Sequence, residues 1–312
     1  MNPAVKEYCD QLIANYRAAD TAFLMEHSCH LVCGSLMYLN ENREVDPALL
    51  KECRKLLRKE ESAFSYFRGS AELSVVFLMS LAEEPLTVLK QLEHVIERLS
   101  NIWSMNEVLS AAVTIISHAS PFEFDEKAAR TRELLEMMKQ DHPFLTAQND
   151  LPFAALLAVN EEPGQDLLAE AEECYRLLRK HVTSSHEFTQ ILSLILSVYP
   201  ASPADKCGRI NEIALGYRKI GELFYATRID SILGILAQPD GADEEIVSCL
   251  QEADQYLSEF FAMKGSFGNG YASRRISEVL ITALLFSSGN RLSPDAVSMM
   301  FALITNYVQY NC

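Results

Sequence analysis

The chain has 312 residues, 49% of them apolar, enough to bury a large core, which excludes disorder as a description of the whole. Lys and Arg total 27 against 43 Asp and Glu, so a net charge of −16 repels phosphate backbones and anionic membrane faces, and neither nucleic acid nor membrane is expected as a partner. Residues 1–19 carry charges throughout, without the apolar stretch of a secretory leader, and apolar runs such as 191–199 fall short of the roughly 20 residues of a membrane span, so a soluble cytoplasmic protein is expected.

In chain order, the first element is a helix opened by Asn2-Pro3, a side-chain acceptor followed by a proline that needs no hydrogen bond in the first turn. Asp46-Pro47, Ser202-Pro203 and Ser293-Pro294 repeat this start signal. Next comes "HSCHLVC" (27–33), two histidines and two cysteines in seven positions. On one helix Cys29, His30 and Cys33 span about 100° while His27 points away, so the stretch cannot close a tetrahedral cage alone. Cys29 and Cys33 align with apolar positions elsewhere in the chain and are read as core; no metal and no cofactor is expected. The eight cysteines, irregularly spaced in a chain large enough to fold without staples, read as reduced thiols on helix faces.

An internal repeat then appears. "LSVVFLMSLAEEPLTVLKQLEHVIERL" (73–99) lies over "LPFAALLAVNEEPGQDLLAEAEECYRL" (151–177), and "SMNEVLSAAVTIIS" (104–117) over "SSHEFTQILSLILS" (184–197) and "RISEVLITALLFSS" (275–288). Likewise "VDPALLKECRKLL" (45–57) lies over "FDEKAARTRELLE" (124–136). The period is about 79 residues and each unit reads as four helices, because apolar residues recur at helical spacing between short polar connections. Units at approximately 1–70, 71–149, 150–230 and 231–312 form one domain, the first lacking its opening helix. In the third unit Leu167, Leu168, Ala171, Cys174, Tyr175 and Leu178 make one apolar stripe. Ser104 with Glu107, and Ser184 with Glu187, have capping-box spacing, which accounts for those glutamates better than acid catalysis does. The expected fold is all-α, a right-handed helical-repeat superhelix that either stays open or closes into an αα-toroid.

Three connections between units are unusual: "SYFRGSAE" (65–72), "HPFLTAQND" (142–150) and "ELFYATRID" (222–230). In a stack of repeats they fall on one edge, where Tyr66, Phe67, Arg68, Phe144, Phe224, Tyr225 and Arg228 form a candidate ridge for a protein or peptide partner. Aromatics plugging the seam between units are the competing reading. The insertion "KGSFGNGYASRR" (264–275) offers Gly268, Gly270, Arg274 and Arg275 as a weak anion-binding loop, although its glycine spacing matches neither phosphate-loop pattern. A flexible connection is the competing reading there. The basic run 51–62 reads as a solvated helix face. No nucleophile beside a base, no paired metal histidines and no phosphate loop stands out, so no catalytic residue is assigned.

"FRGSAELS" and "HPFLTAQNDLPFAALLA", with Arg68, Gly69, His142, Pro143, Phe144, Asp150 and Pro152, resemble in type and order a family of helical bacterial proteins known only as a domain of unknown function. The resemblance implies a helical, cytosolic, bacterial protein and brings no activity, cofactor or catalytic residue. Two functions are therefore expected to compete: a scaffold or adaptor binding a protein or peptide, and a toroidal enzyme or small-molecule sensor with a central pocket.

Overall fold

A computed structural model describes residues 1–23, 26, 28–62, 65–68, 71–99, 105–143, 145–180, 185–219, 228–238, 240–263 and 270–311. Among the described residues the chain is all-helical, without a strand. Its helices are α1 (Pro3–Ala22), α2 (Ser28–Asn40), α3 (Pro47–Glu60), α4 (Glu72–Leu81), α5 (Pro85–Leu99), α6 (Met105–His118) and α7 (Phe124–Asp141). They continue with α8 (Leu151–Val159), α9 (Gly164–Leu178), α10 (His186–Ser197) and α11 (Pro203–Lys219). A 3₁₀ segment (Arg228–Ala237), α12 (Asp243–Met263), α13 (Gly270–Phe286) and α14 (Pro294–Asn311) complete the chain.

The proline starts act as their chemistry requires. Asn2 caps the Ala4 amide, Asp46 the Ala48 amide, Ser202 the Asp205 amide and Ser293 the Ala296 amide. At the start of α10 Ser185 accepts from the Phe188 amide. Ser104 and Ser184 themselves lie outside the described residues.

Two kinds of helix alternate along the chain. α1, α3, α5, α7, α9, α11 and α12 bury one stripe and expose charges on the other face. The helices that follow them (α2, α4, α6, α8, α10, the 3₁₀ segment and α13) are buried on nearly every side. Several of their serines and threonines sit inside apolar helices with the hydroxyl donating to the carbonyl one turn back: Ser35 to Leu31, Thr114 to Ser110, Ser193 to Thr189 and Ser277 to Ser273. Close approach is built in at Gly34, where a Cβ would lie 2.3 Å from the Phe77 side chain of α4.

The beginning and end of the chain meet. α1 packs on α12 and α13, and α2 on α13 and α14. Tyr16 stands edge-on to Phe260 at 5.4 Å, the Leu292 amide donates to Asn40 Oδ1 at 2.7 Å, and Arg291 reaches Glu41 at 2.5 Å. α14 departs from its sequence equivalents. By the repeat it corresponds to α3, α7 and α11, which lie outside, yet it packs against α2, α6, α8 and the 3₁₀ segment. Composition explains the difference: Asp295 is the one charged residue of α14, and Ala296 and residues 298–304 are all buried. At its start His118 Nε2 meets Asp295 at 3.0 Å. No helix among the described residues is long and apolar enough to cross a membrane.

Candidate functional site

The sequence-derived sites fall where the buried helices begin. Phe67 is only 5% exposed, and Tyr66 packs against the core with its ring 5.5 Å from that of Phe67. Burial, then the nearby Glu107 carboxylate, pushes the Tyr66 phenol well above its ordinary pKa. Of the expected ridge, Phe67 is therefore buried and Tyr66 half-buried, each packed against the core. Arg68 is half-buried and donates weakly to the Glu61 carbonyl at 3.5 Å. Phe144, Phe224 and Tyr225 lie outside the described residues; Arg228 opens the 3₁₀ segment.

Two of the four residues expected in the anion-binding loop are arginines with carboxylate partners in the chain. Gly268 lies outside the described residues and Gly270 begins α13. Arg274 pairs with Asp254 of α12 at 2.7 Å. Arg275 is 2% exposed, and its guanidinium contacts Asp230 at 3.3 Å, Glu278 at 2.7 Å and the face of Tyr217 at 4.6 Å. Both arginines are thus engaged by the chain's own carboxylates. Tyr217 also donates to Glu278 at 2.5 Å. Burial raises the Glu278 carboxyl to about 8 against the pull of Arg275, and Asp254 adds to the rise. At neutral pH the cluster therefore holds a protonated glutamic acid between two ion pairs.

The basic run of α3 is likewise occupied. Arg54 and Arg58 converge on buried Glu72 at 2.6 and 2.5 Å, and Arg54 also meets Glu26. Burial alone would raise the Glu72 carboxyl, but hydrogen bonds from Arg58 and Arg54 hold it below its usual range. In "HSCHLVC", Cys29 and Cys33 are 1% and 3% exposed, as their apolar alignment predicts. Cys29 Sγ contacts Ser273 at 3.4 Å, and burial, then Cys29, pushes the Cys33 thiol up to about 12. His30 Nδ1 approaches Ser74 at 3.5 Å; His27 lies outside the described residues. Among the described residues no group of three or more metal-type side chains converges.

A cleft of about 660 Å³ opens instead between two outer helices, α7 and α9. Its upper bracket is the close contact at Gly164, where a Cβ would come within 2.4 Å of Leu134, and there Arg130 of α7 donates to the carbonyls of Asn160 and Glu162. Its lower bracket is His142, whose Nε2 donates to Glu172 at 2.9 Å. Eight residues separate the brackets on each helix, about 12 Å at the helical rise. Between them Met137, Met138, Leu168, Ala171 and Leu194 supply an apolar lining, and Gln190 and Ser193 of α10 the floor. Gln190 donates to Thr146, which in turn donates to the Met138 carbonyl, fixing the end of α7 to that floor.

The rim is acidic. Asp141 and Glu172 are exposed, and among the described residues no Lys or Arg lines the cleft. Tyr175 closes one wall, its ring 5.8 Å from His142 and stacked 6.3 Å from His186. Arg179 can only donate to His186 Nε2, at 3.4 Å, so in the neutral ring Nδ1 carries the proton and donates to the Tyr175 oxygen at 2.5 Å. Burial raises the Tyr175 phenol above its ordinary value, so it stays a neutral hydroxyl. The cleft thus combines an apolar base, polar groups fixed by hydrogen bonds and exposed carboxylates at its rim.

Sequence reasoning named the parts without the cleft. Leu168 and Tyr175 belong to the predicted stripe of α9, but only Leu167, Ala171, Cys174 and Leu178 of that stripe are fully buried. His142 stood out in its loop, whereas its pairing with Glu172, 30 residues on, left no local signal.

No solved structure matches the chain. It is 23% identical over 226 residues to the uncharacterized protein YeaA of Bacillus subtilis (strain 168), an alignment covering 69% of this chain and 68% of that protein. The family model described as "Protein of unknown function (DUF4003)" matches residues 15–290, and the chain belongs to that family.

Proposed function

We propose that this chain is a cytoplasmic helical scaffold, a single domain whose repeat closes as an αα-toroid, and that it binds a segment of a partner protein in the α7–α9 cleft. The observation that carries the reading is the cleft itself. Outer neighbours α1 and α3, α5 and α7, α9 and α11, and α11 and α12 pack side by side, whereas α7 and α9 stand apart, as α3 and α5 do, and the gap between α7 and α9 has an apolar lining. Exposed Asp141, Gln165, Ala169 and Glu172 leave it accessible along the outer surface, where a protein chain can lie. Toroid closure is supported by the packing of α1 and α2 on α12, α13 and α14. A ring-shaped enzyme or sensor with a central pocket is the weaker reading, because α14 packs against inner helices of all four units, where that pocket would lie.

The test is selection of displayed random dodecapeptides on the intact protein, with Ala169→Trp as comparator. The indole fills the cleft without adding charge or touching the core. Peptides retained by the wild type and lost by the comparator are expected; a selection that returns none removes the adaptor reading. Small-angle scattering tests closure separately, with a radius of gyration near 20 Å expected for a compact body of this length and a distinctly larger one for an open stack.

A further inference from the structure

We infer that the α7–α9 cleft takes a partner segment anchored by a basic side chain, an arginine or lysine flanked by apolar residues; this rests on the adaptor reading above. The anchor's chemistry follows from what the cleft leaves unpaired. Glu172 gives Oε2 to His142 and keeps Oε1 without a donor from the described chain. Asp141, one turn of α7 from Met137 and Met138, is exposed and without an ion pair. Glu172 Oε1 and Asp141 therefore stand at the rim with no Lys or Arg partner among the described residues, in a chain of net charge −16 whose field draws positive charge toward it.

The geometry sets where such an anchor lies. A guanidinium at the rim meets Glu172 Oε1 on one side and Asp141 on the other, in the fork geometry that suits carboxylates. Its aliphatic stem and the neighbouring apolar side chains then pass between Met137 and Leu168 toward the α10 floor, where burial supplies the affinity that exposed ion pairs do not. Methionine pairs adapt to differently shaped side chains, so the apolar positions of the segment are expected to vary while the cation is kept. The length between brackets accommodates three or four extended residues.

The experiment uses the peptides recovered on wild type and lost on Ala169→Trp. Each is resynthesised with its basic residue replaced by citrulline, or by glutamine where it is lysine, and titrated against the intact wild type and Glu172→Gln. On the wild type the neutral peptide is expected to bind at least tenfold more weakly. On Glu172→Gln the difference between the two peptides is expected to shrink at least threefold, because one of the two partners of the cation is gone. Recovered peptides that lack a basic residue, or an equal loss on both proteins, overturn this inference and leave the adaptor reading in place. Basic peptides held equally by Ala169→Trp show surface attraction outside the cleft and overturn it as well. If no peptide depends on the cleft, the adaptor reading itself fails.

Discussion

The buried glutamic acid of α13 makes a sharp prediction about pH. Glu278 is 1% exposed among Arg275 of the same helix, Asp230 of the 3₁₀ segment, Tyr217 of α11 and Asp254 of α12. Its carboxyl rises from an ordinary 4.5 to about 8, burial being the largest cause. The folded protein therefore keeps this proton at pH values where the unfolded chain has lost it. Stability from this site is present in full below pH 4.5, declines by up to 1.36 kcal/mol per pH unit, and levels off above about pH 8. The whole span corresponds to roughly 5 kcal/mol. Glu278→Gln keeps a carbonyl for Arg275 and Tyr217 and offers an amide to Asp254, without a titrating group. Urea unfolding of both proteins at intervals between pH 5 and 9 isolates the effect, since other ionisations cancel in the difference. The variant is expected to gain on the wild type by about 1 kcal/mol per pH unit up to pH 8 and to run parallel above it. Parallel curves across the whole range would mean that Glu278 is ionised in the folded state, and the description of this cluster would be wrong.

Other substitutions probe the packing. Phe301→Ala removes a 1% exposed ring from α14 and is expected to cost about 3 to 5 kcal/mol by chemical denaturation; a loss under 1 kcal/mol would place α14 off the inner helices. Gly34→Ala drives a methyl to 2.3 Å from the Phe77 side chain and is expected to destabilise by about 1 to 3 kcal/mol despite the better helix propensity of alanine, whereas a gain in melting temperature would contradict the close approach of α2 and α4. Cys9, Cys29, Cys33, Cys174 and Cys207 are each 3% exposed or less, so a thiol reagent is expected to label them only on unfolding, and rapid labelling of Cys33 in the native protein would refute its core placement.

Much of the fold was legible because it rests on local signals. The four acceptor-proline pairs start four helices. Those are matters of a few adjacent residues. What escaped depends on which surface an element finds. α14 has the sequence phase of an outer helix, and only its lack of charge beyond Asp295 hints that it packs inside. Tyr66 and Phe67 have the composition of a recognition loop, yet the same rings fill a seam just as well, and sequence does not distinguish a ring that packs from one that waits. The cleft was the least legible feature. It depends on Gly164 meeting Leu134 and His142 reaching Glu172, contacts across about 30 residues that leave no periodic trace.

The contact between Asn40 and Leu292 joins positions 252 residues apart. At a synthesis rate of 5 to 20 residues per second, α2 emerges about 10 to 50 s before the helices that cover one side of it. Through that interval Cys9, Leu36 and their neighbours have no α12, α13 or α14 to rest on, so the nascent chain carries an apolar seam that only its own last quarter can close. A permuted chain, with α14 joined to α1 by a flexible linker and new ends in an exposed turn such as 120–123, makes that contact early. Its yield from synthesis, set against that of the original order, measures how much of the cell's folding assistance this one junction consumes.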